Sequence, residues 1–172
     1  MVILINESNI ETGFIDKRKA HQESLLHRSV AVFIFNSMGR LMIQQRSPLK
    51  TTSPGLWSTT CQTHPYPGEK TVNAAHRRLQ EEMGFDCSFY HSFIFKFKAS
   101  FGDDLNENEI SQMFIGISNQ LPLINPREVN AYKLLSLHEI KDDLSLYPEK
   151  YTKWFRLVFD QLFKTYYSLF SK

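Results

Sequence analysis

Between Thr71 and Met83 the apolar residues Val72, Ala75, Leu79 and Met83 recur at intervals of three and four, marking one face of a helix. Gly84 follows where a left-handed C-terminal cap belongs. A helix with one apolar face must bury it against another layer, and β-prone runs lie on either side of this one. The stretch Val30 to Phe35 (V-A-V-F-I-F), the turn Asn36 to Arg40 and the stretch Leu41 to Arg46 read as a hairpin. Phe93 to Phe101 alternates apolar and polar residues, and Ile110 to Ile117 is apolar and β-branched, so both read as strands. Met1 to Asn6 reads as a further short strand. Loops are expected around Pro48, Pro54 and Gly55, and across Asn106, Glu107, Asn108 and Glu109. Beyond Pro148, the residues Tyr151, Trp154, Phe155, Val158, Leu162 and Phe163 keep helical spacing and predict a closing amphipathic helix. The class is therefore α+β, a mixed β-sheet core flanked by helices.

The chain has 172 residues, 42% of them hydrophobic, which suffices for a buried core, and neither a linker nor an internal repeat divides it. One domain over residues 1–172 is expected, as a monomer or weak dimer. The net charge of +2 is small and its cations are scattered, which argues against a nucleic-acid partner. An anionic ligand would have to be met locally, and a small phosphorylated molecule suits that balance. Cys61 and Cys87 form no C-x-x-C pair and are too few for a disulfide scaffold, which points to a reducing, cytoplasmic setting. No run approaches the roughly 18 apolar residues of a membrane span, and the N-terminus lacks the basic and apolar regions of a signal peptide.

His21, His27 and His64, with Glu107 and Glu109, are candidate metal ligands. On an extended segment two glutamates two apart face the same way and can reach one ion together. Mixed nitrogen and oxygen donors suit Mn²⁺ or Mg²⁺ better than a tetrahedral zinc site. Spacing alone leaves an equal alternative, a solvated acidic loop and hydrogen-bonded histidines.

Three segments carry a resemblance. They are K-R-K-A-H-Q-E-S-L-L-H-R (Lys17 to Arg28), G-L-W-S-T-T-C-Q-T-H-P (Gly55 to Pro65) followed by G-E-K-T-V-N-A-A-H-R-R-L-Q-E-E-M-G-F, and E-N-E (Glu107 to Glu109). Together they resemble the type I isopentenyl-diphosphate isomerases, metal enzymes of the Nudix fold. The resemblance implies one octahedral divalent site, Mn²⁺ or Mg²⁺, built from His21, His27, His64, Glu107 and Glu109. Glu69, Arg77, Leu79, Glu81, Glu82, Gly84 and Phe85 fit the Nudix pattern, while Thr63 stands for its first glycine and Arg78 for a glutamate that hydrolase members use to bind metal. Glu82 matches a residue that helps hold a second Mg²⁺ against the substrate's diphosphate. Lys17, Arg46, Lys50 and Arg78 match its diphosphate-contacting positions, a role that suits a forked guanidinium and a point-charge ammonium. A small prenyl diphosphate is the implied partner.

In such enzymes a proton is delivered to an unactivated alkene and another removed from the opposite face, through a tertiary carbocation. Glu109 matches the metal-bound glutamate of that reaction, and Trp154 the tryptophan whose ring faces the cation. Gln62 falls where the catalytic cysteine is usual, and Phe97 where a supporting tyrosine is usual. An amide neither gives nor takes a proton in the useful range, although it can hold a water. Cys61, one residue early, would point to the other face of an extended segment and reads as a small buried hydrophobe. The expected function is metal-dependent interconversion of isopentenyl and dimethylallyl diphosphate, slow or divergent. The alternative is a prenyl-diphosphate-binding or regulatory protein. A Nudix hydrolase is disfavoured by Arg78, and a purely structural Nudix domain by the five candidate ligands.

Overall fold

The computed structural model describes residues 1–100 and 106–170. In chain order the strands are β1 (Val2–Ile5), β2 (Glu11–Ile15), β3 (His27–Phe35), β4 (Leu41–Arg46), β5 (Trp57–Ser58), β6 (Cys61–Thr63), β7 (Phe89–Ser100), β8 (Asn106–Ile117) and β9 (Val129–Leu135). The helices are α1 (Lys17–Gln22), α2 (Thr71–Met83), α3 (Leu137–Leu146) and α4 (Lys153–Phe170), with a 3₁₀ turn at Pro148–Lys150.

The strands form one mixed sheet in which β3 is the hub. It runs parallel to β8 from His27↔Glu109 to Phe35↔Ile117 and antiparallel to β6 from Val30↔Thr63 to Val32↔Cys61. Its hairpin with β4 closes at Phe35↔Leu41, where Gly39 takes a positive φ of 71° in the turn. β7 extends the sheet beyond β8, and β4 carries β5 and β9.

The period of two along β3 builds two cores. Val30, Val32 and Ile34 pack with Met42, Cys61 and Phe114 against Ala74, Ala75, Leu79 and Met83 of α2. Ala31, Phe33 and Phe35 face the other way, onto Trp154, Phe155, Val158, Phe159 and Leu162 of α4. A strand covered by helices on both faces reads as continuous apolar sequence, as V-A-V-F-I-F does.

The hairpin, α2 and its glycine cap stand where the residue pattern puts them. The loop expected across Asn106 to Glu109 is instead the start of β8, paired to β7 from Ser100↔Asn106 to Phe97↔Glu109. Polar side chains mislead there because this end of the strand faces a polar site, with Glu107 and Glu109 both buried. β7 begins at Phe89, earlier than the alternation suggests, and Phe101 lies outside the described residues. Tyr151 precedes the last helix rather than joining it: it bridges Trp57 and its hydroxyl donates to Asp143 at 2.7 Å. β2, α1, β9 and α3 have no counterpart in the periodicity reading. The capping box that starts α3, Ser136 with Glu139, was nevertheless present in the sequence.

Gly84 (φ 72°) ends α2, its N–H donating to the Gln80 carbonyl at 3.0 Å. A Cβ at this position would lie 2.3 Å from the Leu123 carbonyl oxygen. Gly84→Ala therefore combines left-handed strain with a backbone overlap. It is expected to lose about 2 to 4 kcal/mol of stability, read as a lower urea midpoint with an unchanged slope.

Candidate metal centre and cationic cleft

The short helix α1 is capped by Asp16, whose Oδ1 accepts from the N–H groups of Arg18 (2.9 Å) and Lys19 (3.2 Å). Lys17 and His21 stand four apart and so share one helix face. His27 opens β3 directly beside Glu109 of the parallel strand β8. β6, hydrogen-bonded along β3, sets Gln62 opposite Ala31 and delivers His64 just past its end. Three separate sheet and helix placements thus bring three imidazoles and a carboxylate to one point.

Glu109 Oε1 lies 3.0 Å from His64 Nε2 and 3.3 Å from His27 Nε2, and the two nitrogens are 3.2 Å apart. With His21 included, one ligand atom from each of the four residues falls within 4.8 Å of every other. His27 Nδ1 donates to the Leu25 carbonyl at 2.8 Å, which fixes the tautomer and turns the Nε2 lone pair toward the cluster. Neither ring nitrogen of His21 has a well-formed hydrogen-bond partner; the Asn106 backbone approaches only loosely.

The electrostatics are those of a cation site. Burial and then His27 lower the His21 pKa to about 4, and burial and then Lys17 lower that of His64 to about 3. Both rings are neutral at pH 7, the form that binds metal. Burial pushes Glu109 up, but hydrogen bonds from His27 and His64 outweigh it and hold the carboxyl well below its usual range. The same pair works on His27: burial lowers its pKa, and Glu109 more than reverses that. Lone pairs converging at this distance require a positive charge among them, a proton or a metal ion. The donor set fits a divalent cation.

Glu107 stands apart from the four. It is buried, its Oε2 has no hydrogen-bond partner, and burial followed by the neighbouring Glu109 pushes its pKa up to about 8. A carboxyl raised in this way is one that a nearby cation would ionise.

The cluster opens on a cleft of about 290 Å³ whose wall includes His21, His64, Glu107, Glu109, Gln62 and Trp154. Gln62 points at the cluster, its Nε2 donating to Glu109 Oε2 over a long 3.4 Å. Cys61 turns the opposite way, fully buried against α2, with burial raising its thiol pKa well above normal. Trp154 is both core anchor and cleft wall, 3% exposed. Phe97 sits opposite Glu109 across the β7–β8 ladder but belongs to the α4-facing core and is not among the residues lining the cleft.

The same cleft is also lined by Lys17, Arg46, Lys50 and Arg78. Arg46 Nε and Nη2 both donate to the Thr52 carbonyl, at 3.0 and 2.8 Å. Arg78 pairs with Glu82 at 2.7 Å, with Glu81 at 3.0 Å and with Glu128. Burial lowers the Lys17 pKa, with Glu109 opposing and Lys50 adding to the fall. Glu82 is buried behind Arg78, its other oxygen accepting from Gln44 Nε2 at 2.5 Å, and does not itself line the cleft. Arg127 and Glu128, which do line it, were not singled out from the sequence. They lie in Asn125 to Glu128, a polar turn without periodicity that only the tertiary fold carries to Ser47.

Glu69 and Arg77 form a clamp outside the cleft. Arg77 Nε and Nη2 donate to the two Glu69 oxygens at 2.8 and 2.9 Å, and its guanidinium lies 4.1 Å from the centre of the Tyr66 ring. The clamp ties the loop before α2 to the helix.

Comparison with known proteins agrees with this architecture. The NUDIX domain family matches residues 25–155. The isopentenyl-diphosphate Delta-isomerase of Pectobacterium atrosepticum is 42% identical over 161 residues, covering 94% of this chain and 90% of that protein. Isopentenyl-diphosphate Delta-isomerase 2 of Aromatoleum aromaticum is 41% identical, covering 94% of this chain and 85% of that protein. Among solved structures, a Deinococcus radiodurans protein superposes with a TM-score of 0.78 at 21% identity, over 93% of this chain and 97% of that one. At that identity the superposition speaks for the fold alone.

Hydrogen bonding from Arg77 is the main cause of the lowered Glu69 pKa. A depressed carboxylate stabilises the fold above its unfolded pKa, and that contribution is lost as pH falls through the lower folded value. Glu69→Gln is therefore expected to be about 1 kcal/mol less stable than wild type at pH 7, after discounting for solvent screening. Thermal melts should show the two converging below about pH 4.

Proposed function

The chain belongs to the Nudix family and, within it, to the isopentenyl-diphosphate Delta-isomerases, and from that premise we propose that its cleft binds a prenyl diphosphate and interconverts the isopentenyl and dimethylallyl forms slowly. One observation carries the reading: a three-histidine, one-glutamate cluster opens, through His21, His64 and Glu109, on the same cleft of about 290 Å³ that four cations line. That is room for a five-carbon chain between a reacting end and an anion-binding end.

His21, His27, His64 and Glu109 would hold one divalent ion, Mn²⁺ or Mg²⁺, with Glu107 as the adjoining carboxylate. A second Mg²⁺ would accompany the diphosphate, and Glu82 could reach it only by giving up its ion pair with Arg78. When bound, the first ion supplies positive charge that keeps Glu109 ionised without the histidine proton. Lys17, Arg46, Lys50 and Arg78 orient the diphosphate, and Trp154 presents an aromatic face to a substrate carbocation. The isomerisation adds one proton to the terminal alkene carbon and removes another from the neighbouring methylene, so the substrate gains and loses one in balance. Glu109 is the titratable group placed to handle the proton. Gln62 can only hold a water for the second transfer, its amide being inert.

A second reading, a prenyl-diphosphate-binding or regulatory protein, is favoured by Gln62, whose amide meets Glu109 but cannot exchange a proton. The resemblance to named isomerases over nearly the whole chain supports the first. Hydrolysis is a weaker reading than either, since Arg78 stands where a metal-binding carboxylate would be needed, and a purely structural Nudix domain is weaker still.

His64→Ala is expected to weaken Mn²⁺ binding at least tenfold in a competition titration, because a multidentate site loses affinity with each ligand. Anomalous scattering from Mn²⁺-soaked crystals should place the ion against all three histidines. A tetrahedral ion elsewhere would remove the metal assignment.

Gln62→Cys is expected to raise the isomerisation rate by about 10² to 10⁴, the usual worth of a general acid or base, whereas Phe97→Tyr, in the core and outside the cleft lining, should add little. Deuterium incorporation from D₂O into isopentenyl diphosphate reads it. A wild type already as fast as the variant would show that Gln62 does not limit the site. A variant that binds substrate yet stays inactive would favour the binding protein.

A further inference from the structure

Glu128 stands at the anion-binding end with its charge turned toward the cations that a diphosphate would need. Its Oε2 accepts from both Lys50 Nζ and Arg78 Nη2. Its backbone is pinned: the Glu128 N–H donates to the Asn125 carbonyl at 2.9 Å, and its own carbonyl accepts from the Ser47 N–H at 3.0 Å. The Ser47 hydroxyl donates to the Pro126 carbonyl at 3.0 Å, a second tie between this turn and the start of the loop carrying Lys50. The carboxylate therefore projects from a fixed base, and its side chain is 25% exposed toward the cleft.

Arg78 already meets Glu81 and Glu82, so Glu128 is the third carboxylate around one guanidinium. For Lys50 it is the one ion-pair partner among the described residues. A phosphate group reaching Lys50 and Arg78 must take over N–H donors that Glu128 holds and must lie beside its negative charge. Like charges at such separations repel strongly in a partly desolvated site. A divalent cation brought in with the phosphate removes most of that repulsion.

Resting on the reading of this end as a diphosphate site, we infer that Glu128 is a positioning and selectivity residue. It holds Lys50 and Arg78 in place and makes diphosphate binding depend on an accompanying divalent cation, so that the metal complex is admitted and bare diphosphate is disfavoured. Neutral phosphate esters and singly charged phosphates would be weak ligands for a different reason, having too little charge to displace the carboxylate.

Inorganic pyrophosphate is the probe, titrated calorimetrically into the whole protein with EDTA and with Mg²⁺. Glu128→Gln keeps the shape and the acceptor but removes the charge. Its metal-free affinity is expected to rise about tenfold over wild type, a screened charge contact being of that size, and the gain on adding Mg²⁺ should shrink by a similar factor. Glu128→Asp, which keeps the charge, should keep the Mg²⁺ dependence. Metal-free binding that is unchanged or weaker in Glu128→Gln, or an equal rise in Glu128→Asp, overturns the inference and leaves Glu128 a scaffold for the loop. Arg46→Ala separates this from the underlying reading: it should weaken pyrophosphate in both conditions. Should it change neither, the diphosphate site itself is misplaced, whatever Glu128→Gln does.

Discussion

The structure depends on the burial of Glu109. A carboxylate with no exposure to water costs several kcal/mol unless its oxygens are met by donors or cations. The parallel register of β3 and β8 meets that demand by setting His27 at its side, and β6 brings His64 to the same oxygen. Neither histidine is local to Glu109 in sequence, so the compensation exists only once the sheet has formed. The sheet hub and the chemical centre are thus one arrangement. A slip of one residue between β3 and β8 would turn Glu109 into the α2-facing core and leave the imidazoles without their carboxylate.

The same alternation explains how a thiol and an amide at adjacent positions have opposite fates. On β6, Cys61 enters the apolar layer under α2 while Gln62 enters the polar cleft. No rotamer of Cys61 reaches the cleft, because the strand, not the side chain, decides the face. Gln62 in turn contacts Glu109 directly. Its amide gives the buried carboxylate one more donor, a stabilising contact, while withholding a proton that could be exchanged.

What was legible in the sequence was what repeats. Three-four spacing with a glycine stop delimits α2, and the unbroken apolar run of β3 reports helices on both faces of the sheet. What was not legible was wherever the site overrides the pattern. The polar start of β8 reads as a loop because Asn106 to Glu109 turn toward a cleft rather than a core. α1 is six residues long, too short to show a period, yet it positions both Lys17 and His21. The candidate ligands themselves were identified by resemblance, since His21, His27, His64 and the glutamates are far apart in the chain. The structure brings four of them together with Glu107 nearby, and Phe97 pairs opposite Glu109 yet packs in the core without lining the cleft. Glu128 carried no sequence signal. Its position follows from backbone hydrogen bonds between two loops.

Charges of both signs line the one cleft, and they act on one another across it. Lys17 and Arg46 act on the raised carboxyl of Glu107, while Arg78 meets Glu81, Glu82 and Glu128, the last of which it shares with Lys50. Lys17 lies on α1 one helical turn before His21 and senses both Glu109 and the cations Lys50 and Arg46. Burial weakens its hold on a proton, and Glu109 and Glu107 oppose that fall. Lys17 is therefore the side chain at which the charge of the glutamates and that of the neighbouring cations are felt together.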